Sequence, residues 1–187
     1  MKNKLPKTLL SFIFSMAFIM AIPFAAHAGK PSIELIPSPD GNTLVFHNQN
    51  PGELVELLRR RFGYEYTNVK VTGKMNDRDF RRLSSSTYKC KLIDLSDAEA
   101  KNIPNRSFCC EHYLEKFIFP SNLETIECSC FGECYSLKTV ILPKNLKSIG
   151  NGSFVLCGNL ELTVPPNIEI GEGIFYESPK VDFAKSE

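Results

Sequence analysis

A stretch of the chain repeats itself every 23 residues, and this spacing restricts the possible folds more than any other feature of the sequence. Leu114, Leu137 and Leu160 follow one another at this step, and the last copy is two residues shorter than the others. Three further series keep the register: Ile103, Ile126, Ile149 and Ile170; Phe108, Phe131, Phe154 and Phe175; Cys134, Cys157 and Ser178. A repeat of about 20–29 residues rich in Leu and Ile is typical of a solenoid, in which each copy forms one coil and the coils share a core.

The copy from residue 136 to residue 158 predicts the course of one coil. Its first part alternates between inward and outward positions, as in a short strand with one buried side. The inward residues are Leu137, Val140 and Leu142, and the outward residues are Thr139 and Ile141. Pro143 ends this strand because proline has no N–H to donate to the ladder.

The second part of the same copy leads to the next coil. Leu146 and Ile149 point inward from a second extended stretch, and the corner at Gly150–Gly152 allows positive φ angles. Phe154 and Cys157 are three residues apart, which suits one helical or 3₁₀ turn.

These residues carry a resemblance to a known family. The pattern LxxIxLPxxLxxIgxxaFxxCxxL resembles the BspA-like, Treponema-type leucine-rich repeats of secreted and surface-exposed bacterial proteins. The copy from Ser136 to Gly158 fits it at nearly every marked position, the preceding copy departs at Glu127 and Cys130, and the likeness extends over residues 91–179. The resemblance implies a β-rich α/β leucine-rich-repeat solenoid with a role in protein interaction or adhesion, and it implies no catalytic residues.

Residues 1–28 have the pattern of a signal peptide. Lys2, Lys4 and Lys7 precede an apolar run from Leu9 to Ile22, and the sequence Ala-His-Ala ends at Ala28. The apolar run is shorter than the roughly 20 residues that span a membrane, although a retained N-terminal anchor is the alternative. We therefore expect an exported protein that is periplasmic, surface-located or secreted, without a stable membrane span after cleavage.

The remaining chain divides into a cap, the solenoid and a tail. Residues 29–63 predict an N-terminal cap, in which the residues around Asp40–Gly41 form a hairpin or a paired edge strand and residues 54–62 have helical spacing before Gly63. We assign residues 64–183 to the solenoid, with a last half-strand at Val181 and Phe183, and expect residues 184–187 to be frayed.

Outward strand positions are where a solenoid usually binds its ligand, on a continuous concave strand face. We predict two columns of such residues: Lys70, Leu92, Lys116, Thr139 and Glu161 in one, and Thr72, Asp94, Ile118, Ile141 and Thr163 in the other. Ile118 and Ile141 should be exposed neighbours. The predicted ligand-binding face is therefore Lys116, Ile118, Thr139, Ile141 and Glu161.

Charge is unevenly distributed along the chain. Residues 59–91 carry ten basic and three acidic side chains, whereas residues 92–187 carry eight basic and fourteen acidic ones. The basic segment offers an alternative binding surface at Arg78, Arg81 and Arg82, and the opposite charges of the two parts allow self-association. Nucleic acid is not expected as a partner, because the basic segment contains no aromatic stacking motif.

The seven cysteines divide by their place in the repeat. Cys90, Cys130, Cys134 and Cys157 fall on inward positions and are expected to be buried thiols without metal. The remaining ones, Cys109, Cys110 and Cys128, lie outside that rule, and Cys128 could form a disulfide with Cys109 or Cys110. A zinc site built from Cys109, Cys110, His112, Cys128 and Cys130 has the spacing of no standard knuckle, so no metal site and no cofactor are predicted.

The sequence therefore favours an exported, non-enzymatic binding or adhesion module whose partner is a protein or a glycan. It contains no paired carboxylates, phosphate-binding loop or nucleophile with a neighbouring base that would indicate an enzyme. The alternative is a structural, self-assembling component of the cell envelope.

Overall fold

A computed structural model describes residues 32–37, 41–59, 66–178 and 180–184. The predicted signal peptide, the end of the predicted cap helix with Gly63, and residues 185–187 lie outside these ranges. The strands of the described chain are β1 (Ser32–Ile36), β2 (Thr43–Asn48), β3 (Asn68–Lys74), β4 (Leu92–Asp94), β5 (Ala98–Glu99), β6 (Asn102–Ile103), β7 (Lys116–Ile118), β8 (Thr125–Ile126), β9 (Thr139–Ile141), β10 (Ser148–Ile149), β11 (Glu161–Val164), β12 (Glu169–Ile170) and β13 (Lys180–Phe183). The described helices are α1 (Leu54–Arg59) and α2 (Asp77–Ser84).

The predicted solenoid is confirmed by the pairing of these strands. Nine of the described strands form one large sheet in the order β1-β2-β3-β4-β7-β9-β11-β13, with β5 also paired to β3. A small sheet runs in the order β12-β10-β8-β6. All described pairs are parallel except β1 with β2, as expected when every coil adds one strand to each sheet.

The pairing register follows the sequence repeat. Lys116 pairs with Thr139 in the large sheet, and Thr125 pairs with Ser148 in the small sheet, so these residues lie opposite their equivalents in the next copy. The shortened last copy brings closer residues together. Thr139 pairs with Glu161, one residue short of the full repeat, and Ser148 pairs with Glu169, two residues short of it. One residue is therefore lost before β11 and one between β11 and β12.

The third side of each coil is a series of turns, and the helical or 3₁₀ turn that we expected there is absent from the described residues. Alternate N–H groups of this side point to the next coil: those of Ser129, Phe131 and Glu133 donate to the carbonyls of Asn151, Ser153 and Val155. In a helical turn, these N–H groups would instead donate to carbonyls of their own coil. Two positions per coil have positive φ, and in one series these are Arg106, Ser129, Gly152 and Gly173.

The four phenylalanines that keep the repeat register form one ladder. Phe108, Phe131, Phe154 and Phe175 stack in sequence, with centroid separations of 5.6, 5.3 and 6.0 Å. Beside them the residues at the Cys134 position of each copy bond to the preceding coil. The thiols of Cys134 and Cys157 and the hydroxyl of Ser178 donate to the carbonyls of Phe108, Phe131 and Phe154. Each of these three side chains thus donates one hydrogen bond to the backbone of the preceding coil.

The N-terminal strands extend the large sheet. β1 and β2 are antiparallel, with Ile33 opposite Phe46, and β2 then pairs in parallel with β3. α1 begins where the helical spacing of the predicted cap begins, at Leu54.

Helix α2 was not predicted. Its N-cap is Asn76, whose side chain accepts from the N–H of Asp79, while Asp79 accepts from the N–H of Asn76. Asp79 is fully buried and also accepts from the N–H groups of Gly52 and Leu54 and from the Asn48 side chain. One carboxylate therefore joins β2, the start of α1 and the start of α2.

The predicted outward columns are wrong at β3. Lys70 pairs with Asp94, not with Leu92, so β3 is shifted by two residues and Thr72 lies beyond Asp94. A shift of two keeps Val69 and Val71 buried, because it preserves which side faces inward. It also brings the Lys70 ammonium to 2.7 Å from Asp97 and 3.5 Å from Asp94.

Candidate binding face of the large sheet

The five residues predicted to bind a ligand lie together on the outer side of β7, β9 and β11. We call this group the strand face: Lys116, Ile118, Thr139, Ile141 and Glu161. Lys116 pairs with Thr139, Ile118 with Ile141, and Glu161 with Thr139, so the five occupy neighbouring positions on adjacent strands. A hydrogen-bonded sheet holds them at strand spacings of about 4.8 Å.

The centre of the strand face is apolar. Ile141 is 63% exposed, whereas Ile118, which we expected to be equally exposed, is half-buried. Asp94 and Ile141 are the strand partners of Ile118 on its two sides. Ile141 is therefore the more accessible of the two apolar side chains.

A row of ion pairs borders the strand face at the starts of the strands. Glu115 lies 3.4 Å from the ammonium of Lys91 and 2.8 Å from that of Lys138, on the two neighbouring coils. These lysines lower the pKa of the Glu115 carboxyl, the hydrogen bond from Lys138 being the largest cause. On the face itself Glu161 pairs with Lys180 at 2.8 Å. Lys116 is exposed and forms no ion pair with any residue that the structure describes.

The alternative basic surface lies on helix α2. Arg78, Arg81 and Arg82 are all exposed, and none forms an ion pair within the described ranges. Arg81 and Arg82 occupy the last turn, where a positive charge is favourable toward the helix dipole. The charges of Arg81 and Arg82 therefore also stabilise the helix itself.

A shallow groove of about 590 Å³ runs over the small sheet. Its lining includes Thr125, Glu127, Ser148, Glu169 and Ile170. Gly150 is one of its lining residues, and a side chain there would lie 2.7 Å from the backbone nitrogen of Cys128. Sequence reasoning did not single out this groove, although Gly150 and Gly171 are spaced by the length of the last copy.

The four cysteines predicted to be inward are buried, and all seven are free thiols. Burial raises the pKa of the Cys130 thiol to about 12. Cys110 and Cys128 are exposed and Cys109 is half-buried. A disulfide between Cys128 and either Cys109 or Cys110, which the sequence allowed, is not formed.

Sequence reasoning missed a buried carboxyl in the column of Cys134. Glu111 occupies the equivalent position of the preceding coil and is 4% exposed. Burial raises the pKa of its carboxyl to about 7, opposed by a hydrogen bond from the Ser84 hydroxyl at 3.4 Å. The repeat register contains the signal for it, since the aligned residues are Cys134, Cys157 and Ser178.

The family model for the BspA type leucine rich repeat region matches residues 84–185, in six copies. The chain belongs to the BspA-type leucine-rich-repeat family. The resemblance stated from the sequence is therefore confirmed, and the family's repeats begin within α2, upstream of the clear copies at 91–179.

Several solved structures of bacterial leucine-rich repeat proteins are similar to this chain. A leucine-rich repeat protein from Bacteroides ovatus is 18% identical, with a TM-score of 0.52, over 84% of this chain and 40% of that protein. A leucine-rich repeat protein from T. pallidum is 17% identical, with a TM-score of 0.40, over 80% and 66%. A leucine-rich cell surface protein from Faecalibacterium prausnitzii is 16% identical, with a TM-score of 0.42, over 82% and 54%.

The Bacteroides ovatus structure supports the repeat fold of this BspA-type chain, which spans less than half of that protein's length. No curated protein matched the chain. Within the described residues, no helix has the length and apolar character needed to cross a membrane.

Proposed function

We propose that the protein is an exported, non-enzymatic binding or adhesion module that recognises a protein or a glycan through the strand face. The observation that carries the proposal is the accessible Ile141 beside the half-buried Ile118, on a sheet bordered by charge. Family membership supports a binding role, and the signal-peptide pattern supports export to the periplasm, the cell surface or the medium.

The strand face has the arrangement of many protein interfaces, with apolar residues at the centre and charge at the rim. Its backbone is fixed by ladders on both sides, so binding would require little additional ordering. Glu115 already forms ion pairs with Lys91 and Lys138, whereas Lys116 is available to an acidic group of a partner.

The test compares Ile141→Asp with Ile170→Asp once a partner has been found by screening purified surface proteins and glycans. Ile170 is the matched control, because it is 39% exposed but lies on the small sheet. We expect Ile141→Asp to weaken binding by about 2 kcal/mol or more, as for an interface hot spot, with folding preserved. Calorimetry that gives equal affinities for Ile141→Asp and the wild type would refute the strand face as the site.

A second candidate function is self-assembly in the envelope, favoured by the charge asymmetry between residues 59–91 and 92–187. Basic side chains of one molecule, including the exposed Arg78, Arg81 and Arg82, would then contact acidic coils of another. Light scattering at increasing protein concentration distinguishes the two functions. A mass that stays monomeric at low salt contradicts assembly, and a mass that rises at low salt and falls with added salt supports it.

A further inference from the structure

Two successive coils bring a thiol, an imidazole and a carboxylate together on the turn side of the solenoid. The ligand atoms of Cys110, His112 and Glu133 all lie within 4.8 Å of one another. Cys110 and His112 are exposed and Glu133 is half-buried, so the cluster is open to solvent. For one ion to contact all three atoms at zinc bond lengths of about 2.0–2.3 Å, the atoms must approach one another by up to about 1 Å, which rotation of these accessible side chains allows.

The backbone fixes the residues that carry these groups. Cys110 and Glu133 hold equivalent positions in adjacent coils, both with positive φ. The N–H of Cys110 donates to the carbonyl of Gly132, and the N–H of Glu133 donates to that of Val155. A further bond from the N–H of His112 to the carbonyl of Cys110, at 2.9 Å, closes a tight turn between them.

Neighbouring groups orient the side chains. The ring of Tyr135 stacks on the ring of His112 at 5.1 Å, and its hydroxyl donates to a carboxylate oxygen of Glu133 at 3.1 Å. Metal ligands in proteins are commonly held by such outer contacts. The thiol of Cys109 lies 3.4 Å from that of Cys110 and hydrogen-bonds to it.

We propose that Cys110, His112 and Glu133 bind a divalent transition metal ion of the Zn²⁺ type, with a water molecule completing a tetrahedral site. Thiolate and imidazole favour Zn²⁺ over Ca²⁺ or Mg²⁺, which prefer oxygen ligands. Binding replaces the proton of the Cys110 thiol, which passes to solvent, by a sulfur–metal bond. The ion joins two coils that the backbone ladder already holds in register.

This site differs from the zinc site considered in the sequence analysis, which included Cys128 and Cys130. Cys130 is fully buried and directs its thiol to the carbonyl of Pro104 at 3.2 Å, so it belongs to the core. Glu133, which that spacing did not include, supplies the third ligand instead.

The test is titration of the purified protein with Zn²⁺ against a chromophoric chelator, in the presence of a phosphine reductant that keeps the cysteines reduced. We expect one ion per chain in the wild type and affinity reduced at least about tenfold in each of Cys110→Ser, His112→Ala and Glu133→Gln. Cys128→Ser is the matched control, since it removes an exposed thiol outside the cluster and should bind as the wild type does.

Substitution of Co²⁺ provides a readout that does not depend on stability. The wild type should give thiolate-to-cobalt charge-transfer absorption, and Cys110→Ser should lose it while a urea melt shows the variant still folded. The proposal is overturned if the wild type takes up less than one Zn²⁺ per chain in the micromolar range. It is equally overturned if Cys110→Ser retains the cobalt–thiolate band, or if Cys128→Ser weakens binding as much as the three ligand variants do.

Discussion

Replacement of Phe131 by alanine should be among the most damaging single changes in the solenoid. The Phe131 side chain has no exposed surface, and its ring contacts four others among the described residues: Phe108, Phe117, Phe119 and Phe154. Two of these contacts are stacked and two are edge-to-face. Truncation therefore removes a large apolar group and leaves a cavity between two coils.

The expected cost follows from these contacts. A buried Phe→Ala substitution lowers the free energy of unfolding by about 3–5 kcal/mol, and aromatic pairs add to the part that burial accounts for. Because Phe131 lies in the middle of the ladder, we place its cost near the upper end, at about 4–5 kcal/mol. With a urea m value of about 2 kcal/mol/M, the midpoint should fall by about 2 M.

Phe175→Ala is the matched control, because it changes the same residue type at the end of the same ladder. Phe175 is half-buried and stacks on one ladder neighbour, Phe154, at 6.0 Å, so its loss should cost about 1–2 kcal/mol. Urea unfolding followed by circular dichroism measures both variants. Equal losses for Phe131→Ala and Phe175→Ala, or a loss below about 1 kcal/mol for Phe131→Ala, would refute the central packing of Phe131.

Three further predictions concern polar groups and thiols. Asp79→Ala should lower the free energy of unfolding by about 3 kcal/mol or more, because it leaves the buried N–H of Leu54 and the partly buried N–H groups of Gly52 and Asn76 without their acceptor; a thermal melt shifted by less than about 2 °C would contradict this. Glu111→Gln should stabilise the protein by up to about 3 kcal/mol at pH 8 but little at pH 5. The folded-state pKa of about 7 exceeds the ordinary 4.5, so the wild type loses stability as the pH rises through 7; urea melts with no pH-dependent difference between the two proteins would disprove it. Alkylation of the native, chelator-treated protein should modify Cys110 and Cys128 rapidly and spare the four buried cysteines, whereas fast loss of Cys157 by mass spectrometry would contradict its burial.

Much of the coil was predictable because the repeat assigns the same environment to equivalent residues. Phe131 and Phe154 had to share one inward position of the repeat, and Cys134 and Cys157 had to share another, since a shift of either would expose the whole series. The outward positions of the strand face followed from the same alternation. The partial burial of Ile118 did not, because it depends on the side chains of neighbouring strands.

Helix α2 escaped prediction because it is short and has few apolar positions. Only Phe80 and Leu83 among its side chains are buried and apolar. They are three residues apart, and the same spacing separates Phe154 from Cys157 in the repeat, so it did not distinguish a helix from a coil of the solenoid. The pair Asn76 and Asp79 could have indicated its start, because the two residues form a capping box, although without the usual Ser or Thr.

The proximity of Glu133 to Cys110 and His112 could not be predicted for a different reason. Cys110 lies one full repeat earlier in the chain, so a search for ligands close in sequence does not connect them. Alignment of the copies does connect them, since equivalent residues of adjacent coils are neighbours in space.

The uneven pairing separations indicate where this chain can change length. Leu92 pairs with Lys116, Lys116 with Thr139, and Thr139 with Glu161; each separation is one residue shorter than the one before, yet the strands remain paired throughout. The corners between strands therefore absorb single insertions and deletions, while the ladders keep their alignment. A peptide tag or a loop of different length placed at a corner should be accommodated in the same way, whereas one residue added within β9 would turn Val140 or Ile141 to the wrong side of the sheet.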